Sequence, residues 1–138
     1  MAEGGCHCGA IRYNADPAAI EDAGICHCSI CRRTSGGPML AWAFLAESGF
    51  RLLRGAPKTY RSSPACERLF CETCGCQLFY RQPGAAGIGI HTATLDDPDA
   101  LPFRPRLHMC AADRLGWVRL ADGLPEYPTN HLPHPDRR

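Results

Sequence analysis

The sequence predicts a mainly β protein in one domain with little helix, and three observations carry that reading. Short stretches that are β-branched, aromatic or alternating in polarity recur along the chain. The 14 glycines and 12 prolines are spread out, which favours short strands and turns over long helices. A length of 138 residues suits one domain with a core of useful size.

Taken in order, residues 10–14 (Ala-Ile-Arg-Tyr-Asn) alternate as a strand does, and 39–45 form an apolar run around Trp42. Further strands are expected at 50–54, 59–62, 67–71, 77–81, 87–94, 106–109 and 117–120. Residues 29–35 can form one or two helical turns before Gly36-Gly37-Pro38 stops them. A second short turn is expected at 96–101, with Asp97-Pro98 at its start, and Asp96 and Asp97 read as turn or cap residues. The domain is expected to cover residues 1–124. A proline-rich tail, 125–138, is expected to lie on the surface or loose.

Charge excludes little but points away from some partners. The net charge is +1, from 15 basic and 14 acidic residues, which gives no electrostatic reason to expect nucleic acid or a membrane surface. No apolar run approaches the ~20 residues of a membrane helix. Met1-Ala2-Glu3-Gly4-Gly5 lacks the basic start and apolar stretch of a secretion signal, so a cytoplasmic protein is expected. Whether it forms a homo-oligomer is left open.

The ten cysteines decide the chemistry. Cys6/Cys8, Cys26/Cys28/Cys31 and Cys71/Cys74/Cys76 are tight groups, which suit several thiolates converging on one ion. A reducing compartment disfavours disulfides, although a redox use of the same cysteines is the competing reading. Cys71-Glu72-Thr73-Cys74-Gly75 is a metal knuckle, with Gly75 easing the chain reversal. Cys6 and Cys8, read as an extended segment, point to one face and His7 to the other. Pairing Cys6 and Cys8 with Cys71 and Cys74 gives a closed, structural zinc site. His7 is not counted as a ligand.

Cys26-His27-Cys28-Ser29-Ile30-Cys31 directs three thiolates to one point. Three protein ligands and an open position describe a catalytic zinc; a fourth from Cys66, Cys76, Cys110, His91 or His108 would close it. A three-thiolate zinc is soft and a weak Lewis acid, which favours a sulfur substrate over water activation. Arg32 and Arg33 could attract a substrate carboxylate, or could simply be solvated. Trp42 and Trp117 read as core aromatics or pocket walls, with Trp42 the better placed. His91, His108, His131 and His134 show no ligand spacing.

In the order Gly5-Cys6-His7-Cys8-Gly9, Cys26-His27-Cys28-Ser29-Ile30-Cys31-Arg32-Arg33, Tyr60-Arg61-Ser62-Ser63, Phe70-Cys71-Glu72-Thr73-Cys74-Gly75, Leu95-Asp96-Asp97-Pro98, Arg114-Leu115-Gly116-Trp117 and Asp122-Gly123-Leu124-Pro125-Glu126-Tyr127, the chain resembles the glutathione-dependent formaldehyde-activating enzymes. That resemblance implies a tent-like arrangement of antiparallel sheets with two zinc ions per chain. It implies Cys6, Cys8, Cys71 and Cys74 at the structural site and Cys26, Cys28 and Cys31 at the active centre. It also implies addition of glutathione to formaldehyde, a carbon–sulfur lyase reaction run in reverse. Cys76 and Cys110 depart from the family pattern; they read as small buried residues, with spare thiols near a metal as the competing reading. Two other functions stay open: a non-catalytic zinc module for a small ligand or protein, and a thiol redox protein using Cys66, Cys76 or Cys110.

Overall fold

Alternating and apolar stretches become ten strands in a computed structural model that describes residues 1–130. In chain order they are β1 (Ala2–Gly5), β2 (Arg12–Ala15), β3 (Ile20–Cys26), β4 (Leu40–Ala46) and β5 (Phe50–Arg54). There follow β6 (Lys58–Ser63), β7 (Cys66–Phe70), β8 (Gln77–Arg81), β9 (Gly87–His91) and β10 (His108–Met109). One α-helix, α1 (Ser29–Ser35), lies between β3 and β4. No helix among the described residues is long and apolar enough to cross a membrane.

Two sheets result. The smaller runs β1-β2-β5 and is antiparallel; the larger runs β10-β3-β4-β9-β8-β7-β6. The larger sheet departs from the antiparallel expectation at one place, since β10 pairs parallel to β3, His108 opposite Ile25 and Met109 opposite Cys26. Position in the sheet explains composition. Central β4 buries Trp42, Ala43, Phe44 and Leu45 in succession, and central β9 is buried throughout, as strands covered on both faces require. Edge strand β6, Lys-Thr-Tyr-Arg-Ser-Ser, is mostly exposed. Tyr13 of β2, Phe50 of β5 and Phe79 of β8 stack in one aromatic group, with ring centroids 5.0–5.9 Å apart, and join the sheets over a common core.

Helix α1 has the span its sequence predicts. Cys28 caps its start by accepting from the Cys31 amide, and Gly36 ends it at φ 74°. Other expectations need correction. The sequence read no strand at 2–5 or 20–26. Residues 117–120 form no strand, because Trp117 sits in a turn and is 71% exposed, so it is neither core nor pocket wall. The helical turn expected at 96–101 lies instead at Leu101–Phe103. Asp97 does serve as a turn residue, its side chain accepting from the Asp99 amide, whereas Asp96 pairs with Arg12. The start of the expected tail runs beside β10: the amide of His108 bonds Pro125, and that of Tyr127 bonds His108. His131 and His134 lie outside the described residues.

Candidate metal centres and active site

Cys6, Cys8, Cys71 and Cys74 come together with all four sulfurs within 4.8 Å of one another. Two turns bring them there. On one side Gly75, at φ 76°, lets its amide return to the Cys71 carbonyl at 2.7 Å. On the other, Gly9, at φ 79°, lets its amide bond the Cys6 carbonyl. Cys6 and Cys8 therefore converge through a turn and not through an extended segment, and His7 is exposed. The Cys6 and Cys8 sulfurs are 3.6 Å apart and those of Cys8 and Cys71 3.8 Å. Sulfurs about 2.3 Å from a central ion lie roughly 3.8 Å apart in a tetrahedron. A disulfide would need ~2.05 Å. The donor set and its spacing fit a metal ion. Cys76 packs half-buried against this cluster, its carbonyl taking the Cys71 amide.

Cys26, Cys28 and Cys31 form the second cluster, again within 4.8 Å. Cys26 ends β3, Cys28 caps α1, and Cys31 sits in its first turn. Sulfur hydrogen bonds from Cys26 and Cys31 hold Cys28 well below the ordinary thiol range. Contacts with Cys110, Cys28 and Cys31 push Cys26 up. The cluster thus favours a thiolate at Cys28, the form that binds metal.

This cluster lines a cavity of about 240 Å³. Leu40, Trp42, Tyr80 and Met109 supply apolar walls, and Ser63, Cys66, Arg68, Gln82 and Cys110 add polar groups. Trp42 is thus a pocket wall, its ring edge-on to Tyr80 at 6.5 Å. Arg32 and Arg33 are not among the lining residues; the last turn of α1 carries them away. The cation in the cavity is Arg68, 7% exposed, which sequence reasoning missed. Its Nη1 and Nη2 each lie 3.6 Å from the Cys31 sulfur, and its Nε donates to Ser62 Oγ at 3.2 Å.

Of the residues that could close the second cluster, Cys66 and Cys110 line the cavity, while Cys76, His91 and His108 do not. Cys110 holds a left-handed conformation, φ 54° and ψ 38°, beside Cys26. His108 instead bonds His27 Nε2 through Nδ1 at 2.8 Å and Asp122 through Nε2 at 2.7 Å.

The family model described as glutathione-dependent formaldehyde-activating enzyme matches residues 1–113. The chain belongs to that family. A Halomonas elongata protein, provisionally named as a glutathione-dependent formaldehyde-activating enzyme, is 32% identical over 129 residues, 87% of this chain and 81% of its own. An uncharacterized lyase of Schizosaccharomyces pombe is 34% identical over 80 residues, 56% of each chain. A Rhodobacter sphaeroides crystal structure, 29% identical, superposes with a TM-score of 0.56 over 68% of this chain and 87% of that one. Both cysteine clusters lie within the span that the formaldehyde-activating family model matches.

Proposed function

We propose that the chain is a zinc-dependent enzyme of the carbon–sulfur lyase kind that forms or cleaves a thiol–aldehyde adduct, as S-(hydroxymethyl)glutathione synthase does with glutathione and formaldehyde. Family membership, the formaldehyde-activating name of the Halomonas relative and the lyase name of the Schizosaccharomyces relative support this reading. One observation carries it: three clustered thiols face a cavity large enough for a small reactant, with a buried arginine beside them.

In this reading Cys6, Cys8, Cys71 and Cys74 hold a structural zinc, and Cys26, Cys28 and Cys31 hold the second. The second zinc, when bound, supplies a soft site that keeps a sulfur as thiolate near neutral pH. Leu40, Trp42, Tyr80 and Met109 exclude water and orient the carbon end of the adduct. Seven cysteines grouped as metal ligands would need a reducing compartment to stay available, which suits the cytoplasm, where glutathione is abundant.

The test is metal analysis followed by kinetics. Two zinc ions per chain are expected. Exchange spectroscopy by NMR should show adduct formation faster than the spontaneous reaction of glutathione with formaldehyde. A folded, two-zinc protein that adds nothing to the spontaneous rate rules the proposal out.

A further inference from the structure

Arg68 is the only basic side chain lining the cavity among the described residues. Strand alternation puts it there. Cys66 and Arg68, two apart on β7, face the cavity, while Glu67 between them turns outward to pair with Arg61 at 3.1 Å. A guanidinium has five N–H donors in a fixed planar fork. Ser62 takes the Nε donor and thereby aims the other end of the fork, where Nη1 and Nη2 each give one bond to the Cys31 sulfur. Two donors remain for a reactant.

What stands at that place is set by the cluster. A group seated beside the sulfurs meets whatever is bonded directly to the reacting sulfur. In a thiol–aldehyde adduct that sulfur carries two carbons, the thiol's own methylene and the carbon bearing the oxygen, and only the second brings an acceptor; the peptide carboxylates of a thiol such as glutathione are many bonds away.

We propose that Arg68 is the catalytic group for the aldehyde oxygen, donating hydrogen bonds to it as it becomes an alkoxide. The inference rests on the thiol–aldehyde reading above. As the adduct forms, a sulfur lone pair makes the C–S bond and the carbonyl π pair moves onto oxygen. The oxygen then takes one proton from water, which balances the proton the thiol gave up on ionising. In the reverse direction the hydroxyl loses that proton, the C–S pair returns to sulfur and the carbonyl re-forms. Arg68 keeps its own protons throughout, because a guanidinium is not deprotonated at physiological pH. It acts by stabilising charge in a cavity with apolar walls, as oxyanion-hole donors do. Ser62 is a positioning residue that holds the fork in line.

The test compares wild type, Arg68→Met, Arg68→Lys and Ser62→Ala. Three quantities are read: zinc per chain, binding of glutathione alone by calorimetry, and kcat with glutathione and formaldehyde above the spontaneous rate. Arg68→Met should lose about 10²–10³-fold in kcat. Its zinc content and its affinity for glutathione alone should stay at wild-type levels. Arg68→Lys keeps a point charge without the fork and should fall between, with Ser62→Ala losing less. A parallel loss of zinc or of glutathione affinity in Arg68→Met would make Arg68 a counter-charge of the sulfur cluster and overturn the proposal. Should Arg68→Met fail to fold, wild-type kcat in both Arg68→Lys and Ser62→Ala overturns it. Wild type no faster than the spontaneous reaction defeats the underlying function as well; a fast wild type with an equally fast Arg68→Met defeats Arg68 alone.

Discussion

His27 Nε2 lies 2.8 Å from His108 Nδ1, across 81 residues of sequence. Both rings are buried, and His108 Nε2 continues the line to Asp122 at 2.7 Å. His27 sits between two cysteines of the second cluster, so this contact pins the Cys26–Cys28 segment to β10. His27 Nδ1 has no hydrogen-bond partner among the described residues. His108→Ala would therefore leave the whole imidazole of His27 unpaired and open a cavity beside it. A loss of roughly 2–4 kcal/mol is expected in urea unfolding. Asp122→Ala, at a half-exposed position, should cost about 1 kcal/mol. An unchanged urea midpoint for His108→Ala would show that the contact holds nothing.

Acid should destabilise the fold through His91. Burial pushes this imidazole down to about 4, against a weaker opposing bond with the Gln77 carbonyl. The unfolded side chain titrates near 6.5. Between those values the unfolded chain binds the extra proton, so stability is complete above ~6.5 and falls as pH drops toward 4. The full effect is at most roughly 3 kcal/mol. Metal loss in acid acts in the same direction, so the check is a comparison. Denaturant curves for His91→Gln should fall less steeply between pH 7 and pH 5 than those of wild type. Parallel slopes would place the acid sensitivity elsewhere.

Each cysteine group was legible because ligand spacing is local: a two-residue gap and a following glycine already encode the turn at Cys71–Gly75, while joining it to Cys6 and Cys8 followed from the four ligands a closed zinc site takes. The Arg68 site was not, since a single arginine in a strand carries no sign of what its face meets. Its only trace is alternation with Cys66, and that becomes meaningful only once β7 is placed against α1. Arg32 and Arg33 drew attention by adjacency, yet a helix turns its successive residues to different sides. β3 escaped notice because Glu21, Asp22 and Gly24 weaken its propensity. Its strand character comes from pairing with β4 and β10. Gly24 fits tightly there: a Cβ would stand 2.9 Å from Leu107 Cδ1 and 3.0 Å from the Trp42 ring, so both side chains would have to give way.

Gly89 shapes the cavity from behind. It pairs directly with Tyr80 across β8 and β9, and a Cβ at this position would meet the Tyr80 ring at 1.8 Å. Gly89→Ala therefore has to move Tyr80, which lines the cavity and meets Trp42 edge-on. Overpacking of this kind costs about 1–3 kcal/mol. Lower thermal stability should come with increased acrylamide quenching of Trp42, read in a Trp117→Phe background to remove the exposed indole. Unaltered quenching with lowered stability would mean that Tyr80 yields without opening the cavity.

The two cysteine clusters should fail differently. Cys71 joins a segment 63 residues away, bringing β7 and the first turn of the chain to one point. A metal ion there closes a long loop, and structural zinc in finger peptides contributes an apparent ~10–16 kcal/mol. Cys71→Ser should leave a chain that lacks cooperative thermal unfolding. Cys28→Ser removes a sulfur from the second cluster, but serine is a favourable helix cap and can still accept from the Cys31 amide. That variant should fold with near-native circular dichroism, carry one zinc in place of two, and lose adduct-forming activity. If Cys28→Ser instead unfolds as completely as Cys71→Ser, both clusters are structural, and the division between a closed centre and a reactive one fails.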